Sequence, residues 1–128
     1  MRFLAYTLLL TTLLGSGWAA WFFFGGPAQD DDPALTALKQ RVAQLEQSVQ
    51  KGDLNARIDL GWVLIRKESR LPDPDRAVAL FREAAGKGAV RAQYALGWAY
   101  AKGRGVPVDY AQAAEWYRVA ATAGGDAD

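Results

Sequence analysis

Displaced by 36 residues, the chain matches itself. Ala56 falls on Ala92, Leu60-Gly61-Trp62 on Leu96-Gly97-Trp98, Asp73 on Asp109, Ala77 on Ala113, Phe81 on Tyr117 and Ala84-Ala85 on Ala120-Ala121, with no gap. Gly52, Gly88 and Gly124 belong to the same series. A fixed period of this length marks a repeat architecture, in which one supersecondary unit recurs and buries its apolar side against its neighbour. Each unit must therefore be complete within 36 residues, which leaves room for little beyond a pair of helices.

The second copy shows what the unit is. Ala92, Leu96 and Tyr100 recur every fourth residue and share one helix face, so a helix is expected over 90–102. Gly103-Arg104-Gly105 breaks it, since glycine reaches positive φ without steric cost. Pro107 disfavours helix just before it, and Asp109 is a good N-cap for a second helix over 110–122. There Ala113, Trp116, Tyr117, Ala120 and Ala121 form the apolar face, and Gly124 is the expected stop. Two helices on a short loop make an antiparallel hairpin. Ala92, Gly97, Ala113, Ala120 and Ala121 let its backbones approach, and Tyr100, Trp116 and Tyr117 are expected to fill the gaps as core.

These residues resemble the Sel1-like repeat, a relative of the tetratricopeptide repeat. The resemblance rests on Ala92, Leu96-Gly97, Tyr100, Gly103, Gly105-Val106, Asp109, Ala113, Trp116-Tyr117 and Ala120-Ala121. The copy at 53–88 departs from it. Leu64 replaces the tyrosine, Lys67 the first loop glycine, and Arg70-Leu71-Pro72-Asp73-Pro74 the glycine-valine loop. Its length is kept, so the same hairpin with a proline-stiffened turn is expected over helices 53–67 and 75–87. The resemblance implies a right-handed α-solenoid that binds protein partners and is not catalytic.

The remaining segments are read around these repeats, at 53–88 and 89–124. Leu35, Leu38, Val42, Leu45 and Val49 step by three and four along a helix expected over 33–51. That is a coiled-coil spacing, sustained over fewer heptads than a coiled coil needs. Lys51-Gly52 matches Lys87-Gly88 in the repeat frame, so we read 33–52 as a cap on the exposed end of the solenoid rather than a dimerising coil. Asp30-Asp31-Asp32 reads as a solvated acidic stretch within a linker at 27–32, with Asp32 as N-cap and Pro33 at the first helical position. Residues 125–128 read as a tail.

Residues 3–24 carry no charge. At about 1.5 Å per residue they would make a helix of roughly 33 Å, against a hydrocarbon core of about 30 Å. The run outlasts the core of a cleaved signal peptide, typically ~7–15 residues, and Trp18, Trp21 and Phe22 to Phe24 suit a membrane interface. Residues 1–26 are therefore read as an uncleaved single-pass anchor. Arg2 precedes the span and Asp30 to Asp32 follow it. The positive-inside rule then puts the N-terminus in the cytoplasm and the repeats outside, which in a Gram-negative inner membrane means the periplasm.

Composition narrows the chemistry. With 15 Lys and Arg against 14 Asp and Glu, net charge is +1, without the basic excess of a nucleic-acid binder. No histidine or cysteine is present, which removes the commonest general base, thiolate metal sites and disulfides. Ser16, Ser48 and Ser69 have no base to activate them. Gly103-x-Gly105 lacks the Lys-Ser/Thr of a phosphate loop, and Asp59, Glu68, Asp73, Asp75, Glu83 and Glu115 form no acid–base pair at helical spacing. No enzyme activity, cofactor or metal is expected.

A binding face is what remains. At ~100° per residue, Ala56, Leu60 and Leu64, like Ala92, Leu96 and Tyr100, take the core side. Ile58, Trp62 and Ile65, like Tyr94, Trp98 and Ala101, lie round the cylinder, bordered by Asp59, Arg66, Arg91 and Lys102. The family resemblance implies that first helices line an inner groove. Tryptophan and arginine dominate many interfaces, so Trp98, Tyr94, Arg91, Lys102, Trp62 and Arg66 are the candidate partner-binding residues. Trp62 is expected to pack against the second repeat. Trp98, in the last unit, is the expected anchor, with Arg91 and Lys102 beside it for an acidic or carbonyl-rich ligand. The leading expectation is a membrane-anchored module recruiting an envelope protein. The alternative is an accessory subunit of an inner-membrane complex, with Gly15, Ser16, Gly17 and Ala19 as a helix-packing face.

Overall fold

The computed structural model describes residues 32–125. The segment 3–24, where the anchor is expected, lies outside them, as do Asp30 and Asp31 and the last three residues. Among the described residues no helix is long and apolar enough to cross a membrane. Five helices follow one another: α1 (Pro33–Gln50), α2 (Leu54–Ile65), α3 (Pro74–Gly86), α4 (Val90–Lys102) and α5 (Tyr110–Gly125). The chain divides into two compact units, Met1–Ala37 and Leu38–Asp128. In the first, Asp32 caps α1: its carboxylate accepts from the Ala34 amide at 2.8 Å and its carbonyl from Thr36 at 3.0 Å.

In the second unit Asp109 caps its helix as the sequence places it. Asp53, read as the first residue of a helix over 53–67, and Asp73, read as part of the turn before 75–87, prove to be caps of helices that start at Leu54 and Pro74. Asp53 accepts from the amides of Asn55 and Ala56, Asp73 from Arg76, and Asp109 from Gln112. Each carboxylate satisfies donors that a helix start leaves without an intrahelical partner. The stop at Gly124 does not occur, because α5 continues to Gly125. Alanine-rich sequence carries a helix on readily, and no left-handed residue interrupts it there.

Both hairpins close in the same way despite their different loops. The Asp73 amide donates to the Leu64 carbonyl at 2.9 Å, and the equivalent Asp109 amide donates to Tyr100 at 3.1 Å. The proline-containing loop of the first repeat therefore reaches the geometry that the glycine loop of the second reaches. The turn after α1 repeats the turn after α3 as well. Asp53 donates to Ser48 and Ala89 to Ala84, with Gly52 and Gly88 at φ 87° and 83°. Both are glycine-terminated helix ends closed by a bond spanning six residues.

A glycine notch under an aromatic ring holds each hairpin together. A Cβ on Gly61 would collide with the Phe81 ring, and one on Gly97 would sit 2.7 Å from Tyr117. The core comprises Ile58, Leu60, Ile65, Val78, Phe81 and Leu96 with the alanines around them, and Val42, Leu45 and Val49 of α1 pack against it. Arg76 of α3 pairs with Glu46 of α1 at 2.8 Å.

The expected face of α2 needs one correction. Ile58 and Ile65, read as lying away from the core, are 1% and 0% exposed. A first helix inside a stack buries more than one face, and Ile58 and Ile65 belong to the same core cluster as Leu60 and Leu64. A single stripe drawn through Ala56, Leu60 and Leu64 captures only one face. Conversely, Tyr100, Trp116 and Tyr117, expected as core, are half-buried. The Tyr100 hydroxyl reaches the surface and accepts from Arg82 at 3.3 Å.

Candidate protein-binding surface

α2 and α4 stack with their equivalent residues aligned, and the two tryptophans meet. Trp62 and Trp98 lie edge-on with ring centroids 5.4 Å apart, and Trp62 also tilts against Phe81 at 5.4 Å. Both indoles are half-buried and pack against the core. They are therefore held rigidly while keeping a face in solvent, the condition for an aromatic anchor that loses little freedom on binding.

Three open grooves surround this pair. The first, of about 490 Å3, is lined by Arg66, Lys67 and Glu68 from the end of α2 and by Trp98, Lys102, Gly103 and Arg104 from the end of α4. The second, of about 460 Å3, runs from Leu38 and Arg41 to Asp59, Trp62, Val63 and Arg66. The third, of about 610 Å3, has Trp62, Val90, Arg91, Tyr94 and Tyr117 on its walls, with Ala120 and Ala121. Arg66 is common to the first two and Trp62 to the last two, so the grooves form one surface over α2 and α4.

The candidate residues divide between its two ends. Trp98, Lys102 and Arg66 come together in the first groove, and Trp62, Tyr94 and Arg91 in the third. Arg91 does not stand beside Trp98 as expected. It reaches across the repeat boundary to Asp59 at 3.0 Å and to the Asn55 side chain at 3.5 Å. Arg91 and Lys102 lie eleven residues apart on one helix, about 16 Å at its rise of about 1.5 Å per residue.

Sequence reasoning misses three participants. Tyr117 tilts against the 53%-exposed Tyr94 with centroids 5.3 Å apart. Burial, and secondarily electrostatic interaction with the neighbouring Tyr94 phenol, raises its phenol pKa above the ordinary value. Lys67 and Arg104 join the first groove. Arg104 sits in a loop whose glycines suggest only a turn. Its Nε and Nη2 both donate to the Ile65 carbonyl, at 3.2 and 3.0 Å, satisfying an acceptor at the end of α2. Arg104→Ala should remove both charge-assisted bonds, worth about 1.5–3 kcal/mol. Thermal unfolding of the variant should show a loss of that order.

The Sel1 repeat family model matches residues 56–88 and 90–125, more than half of the chain. The chain belongs to the Sel1 repeat family. Solved structures share the fold, two of them as follows. One is a protective antigen present in uropathogenic Escherichia coli strains, displaying an SLR fold, 40% identical with a TM-score of 0.59 over 65% of this chain and 18% of that one. The other is a Sel1 repeat protein from Oxalobacter formigenes, 32% identical with a TM-score of 0.59 over 67% of this chain and 34% of that one. This Sel1 chain thus spans about a fifth to a third of the length of these proteins. No curated protein matches it. The all-helical repeat solenoid is of the Sel1 type, and the family's general role is that of a protein–protein interaction module.

Proposed function

We propose that this Sel1 protein is a membrane-anchored interaction module that recruits an envelope protein through the surface over α2 and α4. The observation that carries the reading is the Trp62–Trp98 pair. Two rigid, partly exposed indoles stand at the centre of a continuous groove system, and central aromatics in such settings supply most of the energy of protein interfaces. Residues 3–24 support the anchoring by their length and lack of charge. The flanking charges support a cytoplasmic N-terminus and a periplasmic repeat domain.

Both halves are testable on the full-length chain. A reporter active only outside the cytoplasm, fused after Asp128, should be active, and the protein should stay with membranes at full length. Release of a shortened soluble form would overturn the anchor. A photo-cross-linking residue at position 98 should yield an adduct with a specific envelope protein, and one at position 118, on the exposed outside of α5, should not. Equal adducts from both positions would contradict the assigned surface.

A further inference from the structure

We infer that the groove at the loop ends of α2 and α4 takes an acidic segment of the protein partner. The inference rests on the proposed interaction surface and specifies the chemistry of its occupant.

The groove arises because stacking brings the same part of two repeats together. Arg66, Lys67 and Glu68 are equivalent to Lys102, Gly103 and Arg104 one period later, and all six line it around Trp98. Four of these side chains are cationic and one is anionic. The whole chain carries a net charge of only +1, so the excess is local. Four arginines elsewhere are compensated: Arg57 faces Glu83, Arg76 Glu46, Arg91 Asp59 and Arg118 Glu115. Among the described residues, the side chains of Arg66, Lys67 and Lys102 have neither an ion-pair nor a hydrogen-bond partner. Arg104 is turned to a carbonyl, which leaves its charge unneutralised.

Lys67 stands where the second repeat has Gly103, so the first repeat's departure from the glycine loop supplies one of the cations. The second loop is held at two points. Arg104 ties the second loop to the end of α2, and Gly105, at φ 71°, is packed against the Pro74 carbonyl. The cations are therefore presented from a fixed frame on either side of a half-exposed indole. Such a site favours a carboxylate-bearing chain with an apolar side chain to lay on Trp98. Its charge would act mainly on encounter rate and partner choice.

The test uses full-length protein in mild detergent and fluorescein-labelled short peptides of alternating glutamate and glycine, or lysine and glycine, with phosphatidylglycerol vesicles and single-stranded DNA as competing polyanions. The glutamate peptide should bind saturably and weaken as salt rises. Arg66→Glu with Lys102→Glu should lower its affinity about tenfold or more, since like charges now face it, whereas Arg118→Glu should leave it unchanged. Circular dichroism of each variant verifies that the helices remain. Equal binding of the lysine peptide, no saturable binding of the glutamate peptide, or insensitivity to the double reversal would overturn the proposal. Tighter capture of vesicles or DNA than of the peptide would overturn it too, by assigning the groove to a lipid surface or a nucleic acid. If the adduct from position 98 forms as strongly in the double-reversal variant, the interaction surface stands and the acidic partner falls.

Discussion

Phe81→Ala should destabilise the repeat domain by about 3–5 kcal/mol, the range for emptying a buried phenylalanine site. Phe81 is fully buried, lies on the Gly61 notch and supports Trp62. Its removal would open a cavity at the junction of α2 and α3 and loosen the tryptophan pair at once. The backbone around Gly61 is already in close contact and cannot collapse far to refill the space. Against a typical domain stability of about 5–15 kcal/mol, such a loss would leave a large share of the chains unfolded at moderate temperature. Denaturant unfolding followed by helical circular dichroism measures it. A loss below about 1 kcal/mol, well short of the range for such sites, would mean that the ring is not the keystone of the first hairpin.

Gly105→Ala should be nearly as damaging, although it adds a single methyl group. Gly105 lies at φ 71°, and a Cβ there would run into the Pro74 carbonyl and come within 2.8 Å of a Val78 methyl. The left-handed conformation costs a non-glycine residue about 1–2 kcal/mol, and overpacking adds typically ~1–3 kcal/mol. The obstacle is backbone, so no rotamer change relieves it. Gly52→Ala is the matched control. It has a similar φ of 87° with nothing within 4 Å of the added carbon, so it should show the conformational cost alone. Equal losses at the two positions would contradict the packing of the second loop against the start of α3.

These cases show what can be read in advance. The period of 36, the cap at Asp109 and the break at Gly103 are legible in the sequence, and the last two are local chemistry that acts within a turn of helix. The second face of α2 is not legible, because Ile58 and Ile65 are buried in a core shared between several helices, which a single helical wheel does not contain. Arg91 is misplaced for a related reason. A wheel reports direction but not distance along the axis, and the partner at Asp59 belongs to another repeat. Lys67 and Arg104 gain their place only through stacking, which brings together loop ends that the sequence separates by a whole period. Trp62 and Trp98 are legible as a recurring pair, since equivalent positions in adjacent repeats are neighbours in any solenoid.

The most direct test of the interaction surface is Trp98→Ala in the full-length protein, scored for thermal stability and for copurification of the envelope partner on the same samples. Trp98 is half-buried and meets Trp62 edge-on, so truncation should remove a pair contribution of about 0.5–1.5 kcal/mol and part of its burial, and lower stability by less than Phe81→Ala does. Partner binding should weaken by about 2 kcal/mol or more, as for other anchoring tryptophans, roughly a thirtyfold loss of affinity. Partner recovery unchanged from wild type, or a stability loss as large as that of Phe81→Ala, would place Trp98 in the structural core and contradict its role as the anchor.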